Sequence, residues 1–244
     1  MKIAIIHGQN HKGTTCHVGR LLAKKLGGDV KEFFLPRDFG EFCVGCTACF
    51  MDTEKKCPHY EKLKPLTNAI TEASVIILTS PVYVFHATGP MKAWLDHYGY
   101  QWMVHRPNPA MFHKQAVCIA TAAGAGMKPT CKDMADSLFF WGVPKIYKCG
   151  LAVFATSYKG VSEKKKREIE KKTSRIAAEI KRNAGKVEPG FKTKAVFMAM
   201  RLANKKGGIN PADKEYWKNM GWLGAKRPWK SKVKRGRSYL EESI

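Results

Sequence analysis

Short apolar runs rich in β-branched residues alternate along this chain with longer stretches in which apolar residues recur every three or four positions. Lys2 to His7, KIAIIH, is the first such run and stops abruptly at Gly8, as a buried parallel strand does. Val18, Leu21, Leu22 and Leu26 then share one helical face, and Gly27-Gly28 ends that helix. Asp29 to Leu35 forms a second strand. His59 to Thr71 predicts a helix showing Leu63, Leu66 and Ile70, with Pro65 lying in its first turn or shortening it. Ser74 to Ser80, SVIILTS, is apolar up to Pro81, the profile of a central strand covered on both faces.

Thr88 is placed to cap a helix that opens with Pro90 and presents Met91, Trp94 and Leu95. Gln115 to Thr121 repeats the strand pattern. Met134, Leu138 and Trp141 mark the next helix, which Gly142-Val143-Pro144 punctuates. Lys145 to Val153 makes a fifth strand, and Ser162 caps a long basic helix whose Ile169, Ile176 and Ile180 face inward. Strands alternating with helices in this way predict an α/β fold. Beyond Lys186 the rhythm stops. Phe191 to Leu202 is amphipathic and basic, and Tyr216, Trp217, Trp222 and Trp229 are too apolar for a free tail. The expectation is a body over 1–185, carrying a cysteine-rich insertion at 40–60, and an arm over 186–244 that wraps its own sheet or a second subunit. A membrane surface is the alternative for the arm.

Composition narrows the setting. A hydrophobic fraction of 44% supports a globular core, and no apolar run approaches the ~20 residues needed to span a bilayer. Met1-Lys2 leads straight into a strand, so no signal peptide is expected and the eight cysteines point to a reducing cytoplasm. There, metal binding or redox chemistry is favoured over a disulfide framework. The formal charge is +23, and from Lys186 onward fifteen basic residues face five acidic ones. Lys226 to Arg237 holds seven basic residues and no acid. Such a run is commonly a solvated face; anionic cofactors, an acidic electron-carrier protein or a membrane surface are its candidate partners. Nucleic acid is not expected, because no helix-turn-helix, zinc finger or aromatic RNA-reading motif accompanies the charge.

Three stretches carry candidate chemistry. Cys43, Cys46, Cys49 and Cys57 form C-x2-C-x2-C-x7-C, with Gly45 free to fold the backbone sharply between the first two and Pro58 stiffening the exit. Thiolates so spaced suit an iron–sulfur cluster; a structural zinc, disulfides or idle thiols are the alternatives. Gly8 to Thr15, GQNHKGTT, joins a strand to a helix N-terminus and is either an anion site or an ordinary turn with Thr14 or Thr15 as N-cap. The loop from Pro81 to Ala87 and the loop bearing Gly124 and Gly126 lie at strand ends where open α/β sheets bind ligands. His86 and His97 read as a loop and a helix-end residue, with proton donation as the alternative. Cys118 and Cys149 read as core thiols. Cys131 and Cys16 are open, although a helix N-terminus beside a phosphate would favour thiolate at Cys16.

With strand–GQNHKGTT–helix, CVGCTACFMDTEKKCP, ILTSPVYVFHATGPMKAWLDH and TAAGAGM in this order, the chain resembles the flavodoxin-like NAD(P)H-dependent FMN reductases, and among them the iron–sulfur flavoproteins. The resemblance covers about Met1 to Arg182. It implies a doubly wound five-stranded parallel sheet of order 2-1-3-4-5 with a basic C-terminal extension. It also implies FMN phosphate against Gln9, His11, Lys12, Gly13, Thr14, Thr15 and Cys16. The isoalloxazine would lie on Pro81, Val82, Tyr83, Val84 and Phe85, with Ala122, Ala123, Gly124 and Gly126 on its other side. A [4Fe–4S] cluster on Cys43, Cys46, Cys49 and Cys57 would pass single electrons between flavin and a one-electron partner. NAD(P)H or a reduced carrier would supply electrons, and a homodimer or homotetramer is expected. The alternatives are a cluster-free reductase acting on a quinone or similar acceptor, and a zinc-ordered, non-catalytic binding module.

Overall fold

The computed structural model describes residues 1–155 and 157–230. Its centre is a five-stranded parallel sheet of order β2-β1-β3-β4-β5, made by β1 (Lys2–His7), β2 (Asp29–Phe34), β3 (Val75–Pro81), β4 (Gln115–Ala122) and β5 (Lys145–Ala152). The order is the one the family resemblance implies. β3 and β4 are buried along almost their whole length, whereas edge strand β2 is exposed over its first half.

Alternation along the central strands sends side chains to two cores. Ile3 and Ile5 meet α1 (Thr14–Leu26) and α6 (Glu163–Arg182) through Val18, Leu22, Ile169, Ile176 and Ile180. Ala4 and Ile6 face the opposite layer, α3 (Tyr60–Glu72), α4 (Gly89–Asp96) and α5 (Met127–Phe140), through Leu66, Ile70, Trp94, Leu138 and the following Trp141. The one-turn helix α2 (Ala48–Met51) precedes α3 in the long connection from β2 to β3. The helix faces expected from the sequence are the buried ones. Pro65, however, neither opens nor shortens α3, which runs through it. Glu61, whose carbonyl loses its helical partner to the proline, and Pro65 itself are both exposed, so water can serve that carbonyl.

The C-terminal arm packs on its own chain, but not on the sheet. Phe197 of α7 (Phe191–Lys205) and Trp217 of α8 (Pro211–Asn219) join Trp222 in a third apolar cluster with Met103 and Phe112, which belong to the connection between α4 and β4. Arg201 closes this unit by donating to the carbonyls of Trp222, Leu223 and Gly224 at 3.0, 3.1 and 3.0 Å. One of the arm's cations thus ties α7 to the turn that follows α8. The basic run Lys226 to Arg237 lies outside the described residues after Lys230. Among the described residues, no helix is long and apolar enough to cross a membrane.

Phe197 is fully buried among four aromatic neighbours, Phe112, Trp217, Trp222 and Trp229. Phe197→Ala is expected to cost about 3–5 kcal/mol, since the rigid rings around it cannot collapse into the void. Urea unfolding followed by tryptophan fluorescence and far-ultraviolet circular dichroism checks this.

Candidate functional site

The C-terminal ends of β1, β3 and β4 bring three loops together. Gly8 opens the first, where a Cβ would lie 2.7 Å from Thr88 Oγ1 and 3.1 Å from Thr79 O. Thr88 caps α4 as expected, and its hydroxyl also donates to Gly8 O at 2.6 Å. The N-cap of α1 is Gly13, correcting the expectation of Thr14 or Thr15, because both threonines already lie inside the first turn. Thr15 Oγ1 sits 2.5 Å from Thr121 Oγ1, tying the loop to β4. Thr14 Oγ1 is buried with no hydrogen-bond partner. An unpaired buried hydroxyl costs about 1–3 kcal/mol, and an anion at a helix N-terminus would remove that cost. A recess with about 210 Å³ of empty space, open solvent included, lies here against Gln9, His11, Gly13, Thr15 and Cys16. Lys12 is exposed beside it.

The second loop is a strained hairpin. Tyr83 and His86 exchange both backbone hydrogen bonds at 3.0 Å across Val84 and Phe85, whose φ values are 48° and 67°. A two-residue turn with both central φ positive ordinarily takes Asn-Gly, so Val-Phe here stores strain of order 1–3 kcal/mol. Val84 is 93% exposed and Phe85 61%. Asp133 holds the hairpin by accepting from Ala87 N–H at 3.0 Å and lying 3.1 Å from His86 Nδ1. Gln9 Nε2 donates to Tyr83 OH at 2.8 Å, joining the first loop to the second. In the third loop, Gly126 has φ 88° and a Cβ there would stand 2.5 Å from Val82 Cγ1, so the two loops meet directly. Ala123 and Gly124 remain exposed while Ala122 is half-buried.

Beneath the first loop lies a buried polar group that the pattern of the sequence did not reveal. Its distant members meet only in the fold: 7, 32 and 79 through strand register and 16 through the packing of α1 on the sheet. His7 Nε2 is 2.8 Å from Glu32 Oε1, and Nδ1 is 2.8 Å from Thr79 Oγ1. Because a carboxylate only accepts, Nε2–H donates to Glu32 and Nδ1 accepts from Thr79, which satisfies a neutral ring. Burial lowers the His7 pKa despite the pull of Glu32. Burial works to raise the Glu32 pKa, but hydrogen bonds from Arg20 and His7 outweigh it and hold the carboxyl below its ordinary range. Cys16 is also buried, and that burial raises its thiol pKa against the influence of Arg20 and Lys12. Cys16, left open by the sequence, is thus a buried thiol on which burial works against the pull of the helix N-terminus.

The cysteine segment forms a second site at the other end of α4. Gly45, with φ 66°, and Thr47, with φ 57°, bend the chain between the first cysteines. Cys49 then sits on α2, and Cys57 follows a 3₁₀ turn capped by Thr53. Cys43, Cys46, Cys49 and Cys57 all line one cavity of about 440 Å³, open solvent included, together with His59 and His97. All four thiols are free, so the disulfide alternative does not hold here. Burial, reinforced by repulsion from the other three sulfurs, pushes Cys49 up to about 11. Among the described residues, ligand atoms within 4.8 Å of one another include the set Cys57, His59 and His97, but no three of the four sulfurs. His97 keeps its plain helix-end role by donating Nδ1–H to Ala93 O at 2.8 Å. Its Nε2 is thereby left as the acceptor for His59 Nδ1 at 3.0 Å, inside the same cavity. Cys118, Cys149 and Cys131 are buried core thiols.

Residues 1–154 match the model of the NADPH-dependent FMN reductase family. The chain belongs to that family. It is 26% identical over 201 residues to an iron–sulfur flavoprotein of Archaeoglobus fulgidus, covering 81% of this chain and 86% of that one. The NAD(P)H:quinone oxidoreductase of Methanothermobacter marburgensis superposes with a TM-score of 0.56 at 14% identity, over 73% of this chain and 94% of that one. An FMN-dependent NADH-azoreductase of Bacillus anthracis, solved with FMN, gives 0.51 at 12% identity, over 72% and 100%. The last two show a shared fold.

As a member of the FMN reductases the chain is a flavin oxidoreductase, which sets aside the non-catalytic module. Its residues fit the cofactor of that family: the unpaired Thr14 hydroxyl suits a phosphate, and the apolar hairpin suits a flat ring.

The folded His7 pKa lies below the ordinary 6.5, so the unfolded chain binds more protons between those values. Stability from this group is present above pH 6.5 and is lost as pH falls from there toward the folded value. Urea midpoints across pH 5–7.5 should therefore fall less steeply in acid for His7→Gln than for the unsubstituted reductase.

Proposed function

We propose that this FMN reductase carries a [4Fe–4S] cluster on Cys43, Cys46, Cys49 and Cys57 and exchanges electrons singly with a protein partner. The observation that carries this reading is the shared cavity lined by all four cysteines, no three of whose sulfurs lie within 4.8 Å of one another. Around a tetrahedral zinc, sulfurs at about 2.3 Å from the metal stand only about 3.8 Å from each other. A cuboidal cluster, bound from outside its corners, needs the wider spread. When bound, FMN takes electrons in pairs and releases them singly, the conversion a one-electron carrier requires.

The chain's own residues bind and orient. Gly13, Thr14, Thr15 and Cys16 at the α1 N-terminus, with Gln9, His11 and Lys12, form the phosphate site, and Lys12 offsets its charge. Pro81, Val82, Tyr83, Val84 and Phe85 present the surface for the ring, bordered by Ala122, Ala123, Gly124 and Gly126. NAD(P)H is the electron source. The strained turn holds Val84 and Phe85 outward in the absence of any packing reason, which supports a contact role. These exposed side chains and Phe154 also support a second copy of the chain beside the ring site, in a dimer or tetramer. The charge of +23 favours an acidic electron-carrier protein, and the cysteine site suits a reducing cytoplasm.

A second reading rests on Cys57, His59 and His97, whose ligand atoms lie close enough for a single zinc ion in a cluster-free reductase. An anaerobic visible spectrum with iron, sulfide and zinc analysis separates the two. About four irons and flavin bands per chain support the cluster, whereas one zinc with flavin and no iron after reconstitution supports the alternative. Thr14→Val should weaken FMN about tenfold in titration by flavin fluorescence, through loss of a hydroxyl hydrogen bond to a charged acceptor.

A further inference from the structure

One guanidinium joins the cysteine site to the C-terminal arm. Arg106, nearly buried in the connection between α4 and β4, donates from Nη1 to Asp213 Oδ1 at 2.6 Å and to Phe50 O at 3.0 Å. Its Nη2 donates to Cys49 O. Asp213 belongs to α8 and is completely buried. Its second oxygen accepts from His105 Nδ1–H at 2.7 Å and from Asn210 Nδ2 at 2.8 Å. Two further bonds press α8 onto the same connection: Tyr216 OH to Pro107 O at 2.8 Å and Trp217 Nε1–H to His105 O at 2.6 Å. The Phe50 ring meets His105 edge-on at 4.7 Å, extending this contact to α2.

The two carbonyls that Arg106 holds lie near the end of a helix of four residues. Carbonyls in the last turn have no partner within the helix, and so short a helix does not persist by itself. The segment from Cys43 to Thr47 brings only irregular backbone. Cys49 and Phe50 also pack against the main core, but the hydrogen bonds that reach the α2 backbone from outside its own segment come from a forked cation, and what orients the cation is a carboxylate 107 residues further along the chain. We propose that Arg106, oriented by Asp213, is the positioning residue of the cysteine site, so that the order of this segment and its hold on metal depend on docking of the C-terminal arm. The metal half of this statement rests on the reading given under Proposed function; the ordering half does not.

A lysine at 106 keeps a cation against Asp213 but cannot fork to two carbonyls and a carboxylate at once, while Asp213→Asn keeps the shape and removes the charge. Both variants are compared with the unsubstituted full-length chain. The readouts are far-ultraviolet circular dichroism, FMN titration, amide exchange and Cys49 alkylation of metal-free protein, and iron retained against a chelator after anaerobic reconstitution. The expected result is unchanged circular dichroism and FMN affinity. Exchange over 46–52 and alkylation of Cys49 rise about tenfold, as loss of a charged hydrogen bond implies, and iron leaves correspondingly faster. Arm packing alone would leave the local exchange of folded Arg106→Lys unchanged, and that result overturns the proposal. Loosened exchange with undiminished iron retention overturns its metal half. If the unsubstituted chain takes up no iron but its segment loosens in both variants, the positioning role is upheld and the cluster reading fails alone. Should Asp213→Asn unfold, Arg106→Lys decides by the same criteria.

Discussion

Parallel pairing is the constraint on which this molecule rests. Each parallel strand must be reached by a crossover, and strands buried on both faces leave no room for irregular backbone within the layers. The loops after β1, β3 and β4 are therefore forced to one edge, where Gly8, the Tyr83–His86 hairpin and Gly126 meet. The same constraint makes the connection from β2 long, because β2 is an edge strand and β3 lies on the far side of β1. The cysteines occupy that connection. α4 then links the two sites, with Thr88 at the loop edge and His97 at the cysteine cavity. Its eight residues set a separation of about 12 Å between its ends.

The elements that could be read directly are those whose information is local. SVIILTS announces a covered strand, Thr88 with Pro90 announces a helix start, and Gly45 announces a bend. The cysteine spacing likewise pointed to a shared site, since three sulfurs within seven residues have few ways to diverge. Local rules failed where a tertiary partner decides the outcome. The state of a thiol at a helix N-terminus such as Cys16 stays open until the fold shows that it is buried. Pro65 reads as a helix start until the outward position of its neighbours makes a broken bond cheap.

Least legible were residues whose role comes from register or from the far end of the chain. His7 and Glu32 sit on adjacent strands, two positions out of alignment, and nothing in either run of sequence marks the pair. Arg106 lies in a stretch without periodicity and looks like one cation among 43. Its burial against Asp213 and two carbonyls separates it from the solvated majority. The arm showed the complementary problem. Its aromatics correctly signalled packing, but the surface they cover is built by the connection around Met103 and Phe112 rather than by the sheet.

That arrangement has a consequence for synthesis. Cys57 is added to the chain 156 residues before Asp213, a lag of roughly 8 to 30 s at ~5–20 residues per second. Throughout that interval β2 and α3 flank a cysteine segment whose forked anchor does not yet have its carboxylate. The nascent chain therefore carries four thiols on a loop that lacks its anchor, and on the proposed reading delivery of a cluster is best timed to the completion of the chain rather than to the appearance of its ligands.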